Sequence, residues 1–230
     1  HAGTKRFEPV HLQVGEVSGS AMSEDSDGWM WLGAWNGSLV RFDKTGGKAE
    51  YVFTSEETHI QYVHSIMEVK PGYLLVGSDK GLALVDVKNH RVRLHGRDAL
   101  NDSFIYPLMR DREGGTWIGT YYGGVNYTHP VLGTFSSYTH ETHANSVSGN
   151  VVNHFCEDAE HRLWIASDDG GLCYYRPEEG VFVKVCLGDG AAEHNVHALR
   201  MEGENLYAGT YSQGLYVVNT KTLQVTHVPA

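Results

Sequence analysis

Basic side chains are under-represented in this chain. Eighteen Lys and Arg face 28 Asp and Glu, for a formal net charge of −10. That balance argues against a nucleic-acid backbone or an anionic membrane surface as partner, because both need clustered cations. No run of 18 apolar residues occurs, so no membrane span lies within these residues. The opening HAGTKRFEP is too polar for a signal peptide, which leaves a removed leader or anchor open. Cysteine is scarce. Cys156, Cys173 and Cys186 fall within one 31-residue window, match no zinc spacing, and leave at least one thiol unpaired by their odd number. They read as small buried hydrophobes, with a disulfide open only in an oxidising compartment. Proline is also rare, at six, and no long 3.6-residue apolar period appears.

Glycine, in contrast, is abundant at 27, and aromatics make up 11% of the chain. Many glycines among aromatic and β-branched residues suggest an all-β protein with tight turns. The arrangement is periodic. SEDSDGWMWLGAWNGSLVRFD (23–43), RDREGGTWIGTYYGG (110–124) and CEDAEHRLWIASDDGGLCYYRP (156–177) are versions of one unit. Two weaker copies are MEVKPGYLLVGSDKGLALVD (67–86) and MEGENLYAGTYSQGLYVVN (201–219). Aligned on the small residue after the apolar pair, the anchors are Gly33, Gly77, Gly119, Ala166 and Gly209, at intervals of 44, 42, 47 and 43. Each copy divides into four short strands separated by turn residues. In the third, the strands are expected at 104–110, 116–120, 125–129 and 135–140.

Four antiparallel strands every ~40–50 residues make the blade of a β-propeller. The boundaries fall near 15–57, 58–98, 99–143, 144–190 and 191–230, within one domain, with residues 1–14 as an extra N-terminal strand. A blade buries both faces against its neighbours, which accounts for unbroken apolar runs such as YLLVG and LALVDV. Repetition also gives conspicuous residues structural roles. Asp25, Asp111 and Asp158 are expected to accept backbone N–H groups at the first hairpin. Trp31, Trp117 and Trp164, replaced by Leu75 and Tyr207 in the weak copies, are expected to fill the space between blades. The glycines after the second strand are expected to supply positive φ or close approach. The GG pairs are not a nucleotide loop, since no helix follows them.

These copies resemble the two-component regulator propeller repeat, whose pattern is roughly E-D-x-x-G-x-L-W-I-G-T-x-x-G-G-L-x-x-Y. The segment NSVSGNVVNHFCED resembles the connector that precedes such repeats. The likeness is close in the first, third and fourth copies. It is weak in the second and fifth, which lack the tryptophan. It implies a periplasmic sensor domain of a Bacteroides-type hybrid two-component system, in which propellers precede a small sandwich, a membrane span and a histidine kinase. None of those further parts is present, so a fragment or a free-standing relative is implied. Family propellers usually have seven blades. Five blades and a stray strand leave two arrangements, a closed ring or part of a larger propeller. An open arc would expose apolar faces, which favours closure or dimerisation.

A ligand is expected on the face that holds the second turn of each blade and the connectors. That face collects Trp35, Asn36, Asp79, Lys80, Tyr121, Tyr122, Asp168, Asp169, Tyr211, Ser212 and Gln213, with Asp102, Ser103, Asn150, His194 and Asn195 from the connectors. Aromatic faces pack on the C–H patches of sugars and polar groups bond their hydroxyls. The expected ligand is therefore an oligosaccharide from polysaccharide breakdown, with adjoining sensor domains or a homodimer partner as protein contacts. A scaffold without a ligand is the first alternative. The second is a lyase or glycoside hydrolase using Asp79, Asp102, Asp168 and Asp169. No G-x-S-x-G elbow occurs. No catalytic residue, cofactor or metal is expected. The histidine pairs His140/His143, His194/His197 and His154/His161 give no three ligands on one rigid element.

Overall fold

The computed structural model describes residues 10–45, 47–96, 99–130, 134–141, 145–188 and 195–230. His143, His194 and most of the expected N-terminal strand lie outside the described residues. The described part of that strand runs into a turn closed by Gly15 N–H on the Leu12 carbonyl, 3.1 Å away.

Among the described residues, twenty strands form five four-stranded antiparallel sheets, each a meander in chain order. Two lie in the unit that ends at Leu94: β1(Gly19–Glu24) to β4(Ala49–Phe53), and β5(Val63–Lys70) to β8(Arg91–His95). The strands between them are β2(Met30–Ala34), β3(Leu39–Phe42), β6(Tyr73–Ser78) and β7(Gly81–Asp86). One helical turn, α1(Ser55–Thr58), links these two sheets. It is opened by a capping box, in which the Glu57 carboxylate accepts the Thr54 N–H at 2.8 Å.

The second unit begins at His95 and holds three sheets. The third sheet comprises β9(Ile105–Arg110), β10(Thr116–Thr120), β11(Val125–Thr128) and β12(Phe135–Tyr138). The fourth comprises β13(Val152–Glu157), β14(Leu163–Ser167), β15(Gly171–Arg176) and β16(Val181–Val185). The fifth comprises β17(Val196–Glu202), β18(Asn205–Thr210), β19(Leu215–Asn219) and β20(Val225–Val228). The all-β architecture of four-stranded blades expected from the repeat is what forms.

Alternate residues of one strand serve two cores. From β14, Leu163 and Ile165 pack with Trp117, Val125 and Phe155, while Trp164 and Ala166 pack with Leu199, Leu206 and Tyr216. Period-2 geometry sends neighbours to opposite faces, and both faces meet a sheet. A continuous apolar run is the only pattern that satisfies both. Trp31 plays the same part in the first unit, against Val63, Leu74 and Val76.

The tryptophans do more than fill space. Each indole N–H donates to the turn aspartate six residues earlier: Trp31 to Asp25 at 2.8 Å, Trp117 to Asp111 at 3.0 Å and Trp164 to Asp158 at 2.7 Å. The other oxygen of each aspartate takes backbone N–H groups of its own hairpin, as expected from sequence. These are Trp29 at 2.9 Å, Gly115 at 2.6 Å and Arg162 at 3.0 Å. One carboxylate thus ties a surface turn to a buried ring.

Of the two roles open to the anchor glycines, close approach is the one seen at Gly33 and Gly119. A Cβ on Gly33 would stand 2.2 Å from Val63 Cγ1 of the next sheet, and one on Gly119 would stand 2.7 Å from Val152 Cγ1. At Gly209, in the last sheet, the same atom would meet nothing closer than 3.9 Å. In keeping with that, Tyr207 and Val217 on the same face are half-buried and Arg200 is exposed, whereas β10 and β14 are buried throughout. In the first unit, Met22 of β1 is likewise 64% exposed.

Trp164→Phe is expected to lower stability by about 2–4 kcal/mol, through lost ring volume and the loss of one of the two donors on Asp158 Oδ2, which keeps Arg162 Nε at 2.7 Å. Asp158→Ala is expected to cost more, about 3–5 kcal/mol, since it removes at once the acceptor of the buried indole, of the hairpin N–H groups and of Arg162 Nε, leaving the guanidinium only Glu160 and the Thr220 carbonyl. Denaturant unfolding measures both, and a loss under about 0.5 kcal/mol in either would contradict the assignment.

Candidate functional site

The strand after each first hairpin runs toward the connector end of its sheet, and there every sheet repeats one bond. The residue two after the anchor donates its backbone N–H to a connector carbonyl. The pairs are Trp35 to Ser18, Asp79 to Tyr62, Tyr121 to Phe104, Asp168 to Val151 and Tyr211 to Asn195, at 2.9–3.4 Å. The second turn of each sheet is thereby fixed beside the connector that enters it. Within each unit, the sequence-derived candidates do gather on this face.

A hydroxyl, buried in three cases and half-buried at Thr210, shapes most of these turns, and sequence reasoning missed it. Ser78, Thr120, Ser167 and Thr210 donate to the carbonyls of Gly81, Gly124, Gly171 and Gly214 at 2.7–3.2 Å. All four stand directly after the anchor, so the repeat itself carried the signal. The first sheet has Ala34 there, and Asn36 Oδ1 accepts the Ser38 N–H at 3.1 Å instead.

Several candidate polar groups are committed to the backbone. Asp79, only 6% exposed, accepts the N–H groups of Gln61 and Tyr62 at 3.1 and 3.0 Å. Lys80 Nζ stands 3.7 Å from its other oxygen. Asp169 accepts from Val151 and Asn150, both at 3.0 Å. Asp102 is buried and accepts from Ser103 and from Tyr122. Asn150 Oδ1 accepts the His140 N–H at 2.7 Å. Gln213 offers its backbone, with its N–H on Thr210 and its carbonyl on His227. Of the four carboxylates considered for acid–base chemistry, three therefore hold loops.

The aromatic candidates are free of such duties. Tyr211 is 79% exposed, Tyr122 67% and Trp35 55%. Each has a ring neighbour, and of these Tyr62 and Tyr106 were not singled out from the sequence. Trp35 meets Tyr62 edge-on at 5.8 Å. Tyr122 stands edge-on to Tyr121, whose ring stacks on Tyr106 at 5.3 Å. Burial, then the neighbouring Tyr121 and Tyr122 phenols, push the Tyr106 hydroxyl above the ordinary tyrosine pKa. Tyr211 lies 5.6 Å from the His197 ring, and His197 Nε2 bonds Asp168 Oδ1 at 2.7 Å. Asp168 is thus the candidate carboxylate with a side-chain partner on this face rather than a loop. These arrays present rigid rings to solvent beside hydrogen-bonding groups, which suits a ligand with alternating apolar and hydroxylated surface.

Two comparisons bear on what the fold is. The family model described as two component regulator propeller matches residues 146–169, the connector, β13, β14 and the start of the next turn. The resemblance read from the repeat is borne out there. The extracellular domain of a putative one component system from B. thetaiotaomicron superposes with a TM-score of 0.81 at 18% identity. It covers 97% of this chain and 29% of its own. A second structure, described as the extracellular domain of a putative hybrid two component system from the same organism, gives 0.80 at 19% over the same shares. A streptogramin B lyase matches with a TM-score of 0.71 at 12% identity, covering 96% of this chain and 72% of its own. No curated protein matches the chain. At these identities the likeness establishes the propeller fold. The chain spans less than a third of the length of the two extracellular domains. Among the described residues, no helix is long and apolar enough to cross a membrane.

If Asp169 serves the loop, Asp169→Ala is expected to speed amide exchange at Asn150 and Val151 and to cost about 1–3 kcal/mol. Asp168→Asn is expected to leave those two amides protected. Hydrogen exchange followed by NMR checks the pair, and equal effects from both variants would show that the two carboxylates were wrongly distinguished.

Proposed function

We propose that this chain is an extracytoplasmic ligand-sensing propeller segment of a hybrid two-component regulator, and that it binds oligosaccharide fragments on its connector face. The observation that carries the ligand reading is the exposed, supported aromatic rings at the connector ends of the sheets within each unit: Trp35 with Tyr62 in the first, and Tyr122 with Tyr121 and Tyr106, and Tyr211 with His197 and Asp168, in the second. Rings already in contact with neighbouring rings lose less rotamer freedom on binding, so less of the contact with a sugar face is spent on ordering. The reading is of a binding module and not an enzyme, because Asp79, Asp102 and Asp169 are tied to backbone N–H groups. The regulator context rests on the repeat at 146–169 and on the two extracellular domains that share the fold. Adjoining sensor sheets or a second copy are the protein partners proposed. The half-buried Tyr207 and Val217 of the last sheet support a neighbour of that kind. Output would then be a rigid-body change rather than chemistry.

Isothermal titration against a panel of plant and host oligosaccharides tests the reading. At least one fragment is expected to bind, and Tyr122→Ala or Tyr211→Ala is expected to weaken it by about 1–2 kcal/mol, some five- to thirtyfold in Kd. If Trp35→Ala, Tyr122→Ala and Tyr211→Ala all leave an observed affinity unchanged, the connector face is not the site.

A further inference from the structure

At the other end of the strands from the connector face, the first hairpins of the third and fourth sheets bring three ligating groups together. His161 Nδ1 lies 3.2 Å from Glu113 Oε1 and 3.3 Å from Glu157 Oε1. One ligand atom from each of the three lies within 4.8 Å of the others. Spacing within either hairpin alone does not show this set, since Glu113 comes from the β9–β10 turn and the other two from β13 and its turn. From the residues, the structure assigns a divalent metal site to Glu113, Glu157 and His161, with Zn²⁺ as the ion it fits and a clasp between two blades as its effect.

The two separations from His161 suit that ion, and the two carboxylates lie within 4.8 Å of each other. Zinc bonds to histidine nitrogen and carboxylate oxygen of about 2.0–2.2 Å place tetrahedral ligands about 3.3–3.5 Å apart. An imidazole with two carboxylates also favours zinc over calcium or magnesium, which take all-oxygen shells. An independent observation points the same way. Glu157 Oε1 is shut off from solvent and has no hydrogen-bond partner, and its side chain as a whole is only 12% exposed. The one guanidinium beside it, Arg112 Nε, stands at 3.5 Å. A buried carboxylate oxygen without a hydrogen bond is costly, and a coordinated cation relieves that cost. Burial accordingly pushes the Glu157 carboxyl above its ordinary pKa, with Arg112 opposing and Glu113 adding to the rise.

The frame around the site is rigid. The Asp158 carboxylate fixes the turn that carries His161 through the N–H groups of Glu160 and Arg162, and is itself held by the Trp164 indole. The Asp111 carboxylate fixes the turn that carries Glu113 in the same way, through Gly115 and the Trp117 indole. The site also opens to water. Glu113 and His161 line a cavity of about 650 Å³ that Glu160, Glu178 and Glu179 border as well. Arg162 and Arg176 line the same cavity, each paired with a carboxylate of the rim, and the space leaves room for a water as fourth ligand.

Calorimetric titration of the folded chain with ZnCl₂ alone at neutral pH is expected to show one strong equivalent per chain. A hundredfold excess over the dissociation constant should raise the thermal midpoint by about 5–10 °C. Glu157→Gln and His161→Asn are each expected to weaken zinc at least tenfold. Asparagine suits the left-handed backbone at position 161, where φ is +61°. His11→Asn, remote in sequence, should leave the equivalent intact, and CaCl₂ should give no comparable heat. Absence of a zinc equivalent would sink the assignment. So would zinc heat that survives both site variants, since it would then come from other surface histidines, or calcium binding as tight as zinc.

Discussion

The bond from an indole N–H to a turn aspartate organises this molecule. It joins the outermost part of a blade, a hairpin tip, to the innermost, a ring between two sheets. A charged acceptor makes it stronger than a neutral hydrogen bond, and the aspartate's second oxygen closes the hairpin at the same time. Three of the five sheets carry it. With each ring pinned, the next sheet must dock at a defined height, and the anchor glycine opposite Val63 or Val152 lets it come close.

From that frame follows a division between the two ends of the strands. The connector end repeats a backbone bond and a buried hydroxyl in most blades, then varies the residue that faces out. The scaffold can therefore accept Trp, Lys, Tyr or Asp at equivalent places without losing the turn. The other end does the opposite. Three of its five turns share the aspartate, and its variation lies in neighbours such as Glu113, His161 and Arg112.

Much of this was legible beforehand. Five anchors at near-constant spacing imply five like sheets, and alternation lost in YLLVG and LALVDV implies burial on both faces. The strand TWIGT at 116–120 is β10, and the turn carboxylates accept backbone N–H groups as their repetition suggested. The aromatic candidates Trp35, Tyr122 and Tyr211 are exposed on the connector side. Other features needed coordinates. Asp79, Asp102 and Asp169 look like available acids in sequence, yet each faces N–H groups of a connector some 17–20 residues away or of the next residue. Tyr62 and Tyr106 carry no mark in sequence, and His197 stood out there only as one of a histidine pair, because a supporting ring is defined by what it touches.

The order of residues by itself determined the period, the strand content and which positions repeat. Those are local properties, set by spacing, by steric preference at turns and by the need to bury apolar runs. Tertiary structure alone decided which polar groups were spent and which remained. An aspartate is a loop clasp or a free carboxylate according to the N–H groups that another segment brings within 3 Å. Glu113, Glu157 and His161 become one cluster only because two hairpins, 44 residues apart from Glu113 to Glu157, are set side by side. Hydrogen bonding and coordination act over a few ångströms, and that distance has no counterpart along the chain.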